Sequence, residues 1–249
     1  MDYTNRILDI DLLKLELDKF RPFDENIIKQ LKEYYRISLT YTSNALEGNT
    51  LTETETKVII EDGLTIGGHP IREIQETIGH SKAYDFLYEL TKSIDITEKN
   101  ILELHKLFYE QIEPNNAGKY RDKKVIITGA EYIPPAPKEL PALMKEFCEQ
   151  IPEQKTKLHT VEFAAWLHLN LVNIHPFMDG NGRTARLLTN LALLQAGYSV
   201  IIIPPVVRAD YINSIREAQT NGKSELFTNF LSEMVLESMK DYLRIVKRL

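Results

Sequence analysis

The sequence predicts an all-α fold that carries one β-hairpin as a flap, and three observations predict it. Apolar residues recur at helical spacing along most of the 249 positions. Gly67-Gly68 and Gly118 punctuate the joins between these stretches. A single segment, "KKVIITGAEYIPPAP" (123–137), trades the helical period for β-branched residues and a turn.

Composition sets the outer limits. Apolar residues make up 43% and charged residues 27%, the balance of a globular chain rather than a disordered one. The length suits one large domain or a domain with an extension. A formal charge of −6 offers no global basic field for nucleic acid, although a local anion site needs only a few fixed donors. Cys148 is the single cysteine, which excludes a disulfide framework and a Cys-based zinc site and suits a reducing compartment. No run of about 18 apolar residues offers a membrane span, and the first residues lack the shape of a signal peptide. A cytoplasmic protein without a membrane or nucleic-acid partner is expected; homo-oligomer formation is left open.

The elements follow in chain order. Within 26–47, Ile27, Leu31, Tyr34 or Tyr35, and Leu39 fall on one helical face. Thr52-Glu53-Thr54-Glu55 is a capping box that opens a short helix, closed by Gly63. Further helices are expected at 70–92, 98–112, 138–151, 159–173, 183–197, 208–221 and 224–246. Between the second and third of these, a Gly129-Ala130 turn and a Pro-rich exit read as a β-hairpin, and Pro134 and Pro135 cannot sit in a central strand. A lone hairpin has no sheet to join. Two roles stay open for it: a flap packed on the core, or an edge that pairs with a peptide.

The chemistry concentrates in "IHPFMDGNGRTARLL" (174–188). The helix before it places Phe163, Trp166, Leu167 and Val172 at core spacing. It ends at His175-Pro176, because the residue before proline is pushed out of the α region. A second helix starts near Gly182 and runs through Leu187, Leu191 and Leu194 to Gly197. Gly180-Asn181-Gly182 can expose successive backbone N–H groups at that helix start, where the macrodipole also favours an anion. Arg183 and Arg186, at i and i+3, add two cations beside it. The pattern reads as a site for a di- or triphosphate. Asp179 then fits as a ligand of the Mg²⁺ that accompanies such phosphates. His175, at the mouth of the loop, is suited to taking a proton from an incoming hydroxyl.

The same residues admit other readings. A His beside a Pro is commonly structural, and an Asp in a Gly-rich loop is commonly a turn former. Gly180-x-Gly182-x-x-Ala185 fits the dinucleotide fingerprint formally, but a helix precedes it and "VIIIPP" (200–205) supplies no acid. Walker A and H-E-x-x-H patterns are absent.

"HPFMDGNGRTAR" (175–186) resembles the Fic signature H-P-F-x-[D/E]-G-N-G-R-x-x-R at every specified position. "AAWLH", "GKYRDKKVIITGAEYIPP" and "RADYINSIREA" are similar to the rest of that family's core. The resemblance implies a helical Fic core over 96–235, an N-terminal helical region over 1–95, and a helix end over 236–249. It also implies transfer of AMP from ATP to a hydroxyl of a target protein. Carried over, His175 is the general base, and Pro176 and Phe177 are structural, with Phe177 anchoring the loop. Asp179 holds Mg²⁺; Gly180, Asn181 and Gly182 bind the α and β phosphates; Arg183 and Arg186 engage the β and γ phosphates. Tyr211 and Gln219 line the adenine pocket, or Tyr211 serves the helix core. Val125, Ile126, Ile127 and Thr128 form the target-binding arm of the flap. Phosphotransferase relatives resembling the phage toxin Doc carry Lys in place of the second loop glycine, so Gly182 keeps the AMP-transferring form.

A second element raises its own problem. Glu47 falls at a helix end just before Gly48, where a carboxylate opposes the macrodipole by about 0.3–1 kcal/mol if exposed. It needs a cation partner or a reason. Ser43-x-x-x-Glu47-Gly48 resembles the Fic inhibitory motif [S/T]-x-x-x-E-[G/N], placed before the core as in class II members. The resemblance implies that Glu47 pairs with Arg186 and withholds it from the γ-phosphate. In some relatives the same Glu orients water to remove AMP. A nucleotide-sensing module without turnover is the alternative from another class.

Overall fold

The computed structural model describes residues 3–127 and 131–248. Ten α-helices run in order among these residues: α1 (Ile7–Asp18), α2 (Glu25–Ala45), α3 (Glu53–Lys57), α4 (Ile71–Leu90), α5 (Glu98–Tyr109), α6 (Leu140–Lys157), α7 (Thr160–Ile174), α8 (Asn181–Gln195), α9 (Arg208–Asn221) and α10 (Ser224–Val246). A π-helical turn, Val58–Asp62, continues α3 to Gly63, whose left-handed backbone ends it. The capping box at Thr52 and Glu55 is formed in both directions.

Every helix expected from periodicity is present. α6 runs past its expected end and holds Pro152 within it. The unexpected element is α1. Its Ile10 and Leu17 are buried while Leu8, Leu12 and Leu15 face solvent, so its apolar residues spread around the helix and blur the periodic signal.

The α7–α8 hairpin forms the centre, with α10 and α6 against α7, and α4 and α5 against α8. The main apolar core runs from Ile10 in α1 to Val246 in α10, and Leu51, Ile59 and Ile74 form a smaller separate cluster around α3. Gly79 lets α4 lie close on α5: a Cβ there would run into the backbone carbonyl of Phe108. That contact sets α4 beside the start of α8. No helix among the described residues is long and apolar enough to cross a membrane.

The flap differs from expectation. No strand forms among the described residues of 123–137, so the β-hairpin is corrected to two unladdered arms. Pro134 and Pro135 have no N–H to donate to a ladder. The side chains of Arg121, just before the outgoing arm, and Tyr132, on the returning arm, hold the arms instead, as detailed below. Val125 is half-buried, Ile126 is 93% exposed, and Ile133 on the return arm is 84% exposed. Thr128 lies outside the described residues.

Candidate active site

His175 ends α7 in a left-handed conformation, φ 51° and ψ 55°, the one non-glycine residue with positive φ among those described. The following Pro176 disfavours a right-handed helical backbone there. Its Nδ1 lies 3.3 Å from the Val172 carbonyl. A carbonyl can only accept, so Nδ1 carries the hydrogen and Nε2 keeps the lone pair. Burial, above all, lowers the His175 pKa; the Val172 contact works against it and the charge of Arg121 adds to it. The ring is therefore neutral near pH 7, with one basic nitrogen available.

The loop beneath is fixed residue by residue. Phe177 is fully buried and stacks on His105, with ring centroids 3.7 Å apart and planes 2° from parallel. The Gly118 N–H donates to His105 Nδ1 at 2.9 Å, so His105 Nε2 is the donor to the Asp179 carbonyl at 3.0 Å. Both amide groups of Asn181 return to the backbone of Phe177, each at 2.9 Å. Its side chain thus closes the loop and is committed to backbone. α8 begins there with no side-chain cap on its first N–H groups. Gly180 has φ 79°, and a Cβ on it would lie 2.8 Å from the Phe108 ring.

The two arginines of α8 meet different partners. Arg186 is 4% exposed. Its Nε donates to Ser43 Oγ at 3.0 Å, and Nη2 donates to the Ser43 carbonyl at 2.8 Å and to Glu47 Oε1 at 2.7 Å. Its Nη1 donates to the Tyr211 hydroxyl at 3.1 Å, and that oxygen also lies 2.9 Å from His168 Nε2. Tyr211 is 2% exposed, among Phe227, Phe230 and His168, so its placement favours the helix-core reading, with a hydroxyl that orients Arg186, over the adenine-lining one. Arg183, also buried, pairs with Glu76 of α4 at 3.0 Å and lies over the Phe108 ring.

The Glu47 carboxylate sits in the turn after α2, with its side chain 37% exposed at the rim. Burial pushes its pKa up, but Arg186 and Arg183 outweigh this and hold it below the ordinary carboxylate range. Gly48 follows at φ 97°. A Cβ on Gly182 would lie 2.5 Å from Glu47 Oε1, so a bare backbone at 182 is what admits the carboxylate.

Asp179 accepts the Gly180 N–H at 2.6 Å and an Arg72 guanidinium at 2.5 Å. No cluster of three or more His, Cys, Asp or Glu suited to a metal occurs among the described residues. A lone carboxylate beside phosphate-facing backbone is nonetheless the donor set Mg²⁺ uses when phosphates and waters complete its shell. The residues fit the ion, provided Arg72 yields. Sequence reasoning missed His105, Arg72, Glu76 and Arg121. His105 alone left a local sign, as a polar residue on the apolar face of Ile101, Leu104 and Phe108.

The site thus combines a neutral histidine at the end of α7, an uncapped helix start five residues on, and a buried arginine in the first turns of α8. Comparison with known proteins places it more narrowly. Residues 95–193 match the family model described as the Fic/DOC family. The chain is 38% identical over 205 residues to Protein adenylyltransferase Fic of Drosophila melanogaster, covering 82% of this chain and 41% of that protein. Its fold superposes on Fic-1 (residues 134–508) from C. elegans with a TM-score of 0.86 and 30% identity, covering 96% of this chain and 71% of the other. A Fic domain containing signaling protein from Bacteroides thetaiotaomicron gives a TM-score of 0.87 at 28% identity, covering 96% of both. The chain belongs to the Fic/DOC family. It spans less than half the length of the curated relatives it matches, 47% for the Drosophila willistoni protein.

Proposed function

We propose that this chain is a protein adenylyltransferase, moving AMP from ATP to a side-chain hydroxyl of a target protein. The observation that carries the reading is His175, whose Nε2 keeps its lone pair at one end of the loop that leads to the uncapped start of α8. In this reading the target hydroxyl gives its proton to Nε2 as its oxygen attacks the α-phosphorus, and pyrophosphate leaves. The first N–H groups of α8 hold the phosphates, and Arg186 offsets charge on the γ-phosphate. Asp179 would hold Mg²⁺, which when bound neutralises charge on the phosphate oxygens. Arg183, occupied by Glu76, serves the loop's stability and adds its field at longer range.

Glu47 supports an autoinhibited ground state. A guanidinium that already donates to Ser43 and Glu47 has no fork left for a γ-phosphate. The rim position of the same carboxylate, beside His175, favours a second activity, removal of AMP by an oriented water. The flap would present main chain to the target. The acidic charge gives no basic field for nucleic acid, and the lone Cys148 suits the cytoplasm as the compartment.

The test is mass spectrometry of proteins incubated with ATP, Mg²⁺ and the Glu47→Gly variant, with His175→Ala added to it as the control. AMP adducts that require His175 are expected. ATP binding without any adduct or hydrolysis would instead support a nucleotide sensor.

A further inference from the structure

We infer that Arg121 is a positioning residue that ties the left-handed backbone of His175 to both arms of the flap, so that a protein seated on the flap is held in register with the base. Arg121 is 3% exposed. Its Nε donates to the His175 carbonyl at 2.8 Å, Nη1 to the Lys123 carbonyl at 3.0 Å, and Nη2 to the Pro135 carbonyl at 2.6 Å. Its own backbone N–H donates to the Pro176 carbonyl at 2.9 Å. One planar fork therefore joins three segments: the outgoing flap arm, the returning arm, and the turn that carries the base.

Two physical facts single this residue out. Among the described residues Arg121 has no carboxylate partner, and burial lowers its pKa with no anion to offset it. A buried cation without a counter-ion is unfavourable unless it is well hydrogen-bonded, and here each of its three nitrogens donates to a backbone carbonyl. Those carbonyls cannot be served by a strand ladder, because Pro134 and Pro135 interrupt the returning arm. A left-handed backbone is also unfavourable for an L-residue, so His175 needs its carbonyl held from outside. Arg121 does both. Tyr132 provides a separate anchor, its hydroxyl donating to the Asn173 carbonyl at 2.8 Å without touching His175.

The coupling of flap to base rests on the adenylyltransferase reading; the tie at His175 does not. The two are tested apart. In histidine-labelled protein, the Cα and Cβ shifts of His175, assigned by their loss in His175→Ala, report its backbone conformation. Arg121→Lys can reach one carbonyl at a time, and it is expected to move these shifts away from left-handed values. Tyr132→Phe should leave them in place. In the unsubstituted protein, the Arg121 Nε–H should exchange with solvent more slowly than that of exposed arginines, a measurement that needs no variant to fold. Unmoved His175 shifts in folded Arg121→Lys, equal movement in Tyr132→Phe, or fast exchange at Arg121 Nε would each overturn the tie. In the Glu47→Gly background, Arg121→Lys should lower kcat for protein modification roughly 10²-fold, as sub-ångström to ångström misplacement of a base does, with ATP affinity unchanged. An equal loss of ATP affinity would overturn the coupling. A Glu47→Gly parent that modifies no protein would count against the adenylyltransferase reading, while the tie at His175 would still stand or fall on the shifts and the exchange rate.

Discussion

Residues 175–182 are pinned from beneath at successive backbone groups by Asn181, His105 and the Phe177 stack, whereas the flap is tied at its base by Arg121 and Tyr132 and leaves Ile126 and Ile133 in solvent. On the adenylyltransferase reading, the difference separates two tasks. A loop that must place a base and a row of donors around a phosphorus gains from being ordered before the substrate arrives. A segment that must accept the main chain of another protein gains from unpaired backbone and few side-chain commitments. Variants in the loop should therefore change chemistry, and variants in the flap should change partner use.

The largest expected effect lies in the loop. His175→Ala should lower AMP transfer roughly 10²–10⁴-fold, with nucleotide binding and melting temperature nearly unchanged. A well-folded variant with near-parental transfer would remove His175 from the mechanism.

Next comes the contact between the loop and the Glu47 turn. Glu47→Gly should raise AMP transfer by about tenfold or more, equivalent to about 1.4 kcal/mol of released Arg186. Adding Arg186→Ala should cancel the gain, because the freed site then lacks its cation. Transfer that is unchanged in Glu47→Gly, with ATP, Mg²⁺ and a competent target present, would show that this carboxylate does not inhibit.

The flap should respond more mildly. Ile127→Pro removes one backbone donor from its outgoing arm and is expected to raise the KM for a protein target several-fold while ATP binding holds. Equal effects on both would mean that the flap supports the nucleotide site.

The smallest effect is one of stability. Burial lowers His80 and His168 to about 3 and His105 to about 4, against an ordinary value near 6.5. Below pH 6.5 the unfolded chain takes up protons that the native state refuses, so the stabilisation is complete above that value and is lost as pH falls towards 4. The slope is about 1.4 kcal/mol per histidine per pH unit. Melting temperature should fall between pH 7 and pH 5, and His80→Gln should flatten the fall. A melting temperature independent of pH over that range would contradict the neutral burial of these rings.

The reach of the sequence follows the range of the interactions. The loop was readable because its parts lie within twelve positions and each has a local reason: proline ends α7, glycine opens α8, and the arginines follow at helical spacing. The Glu47–Arg186 pair spans 139 positions and was expected through family resemblance, since no periodicity links residues so far apart. Arg121 reaches His175 across 54 positions and Arg72 reaches Asp179 across 107, and neither left a trace. The flap misled because β-branched residues mark extended backbone, whereas a ladder also requires a partner arm with donors. α1 escaped notice because a helix with apolar residues on several sides has no single stripe.

Gly182 carries one further consequence. A Cβ at 182 would lie 2.5 Å from Glu47 Oε1, so a side chain there and the carboxylate in its present pose compete for the same space. Any replacement at 182 must push that carboxylate, the far end of a flexible side chain, to a new position. The two positions are thus coupled. On the autoinhibited reading, a side chain at 182 should therefore loosen the hold of Glu47 on Arg186 as well as alter the loop.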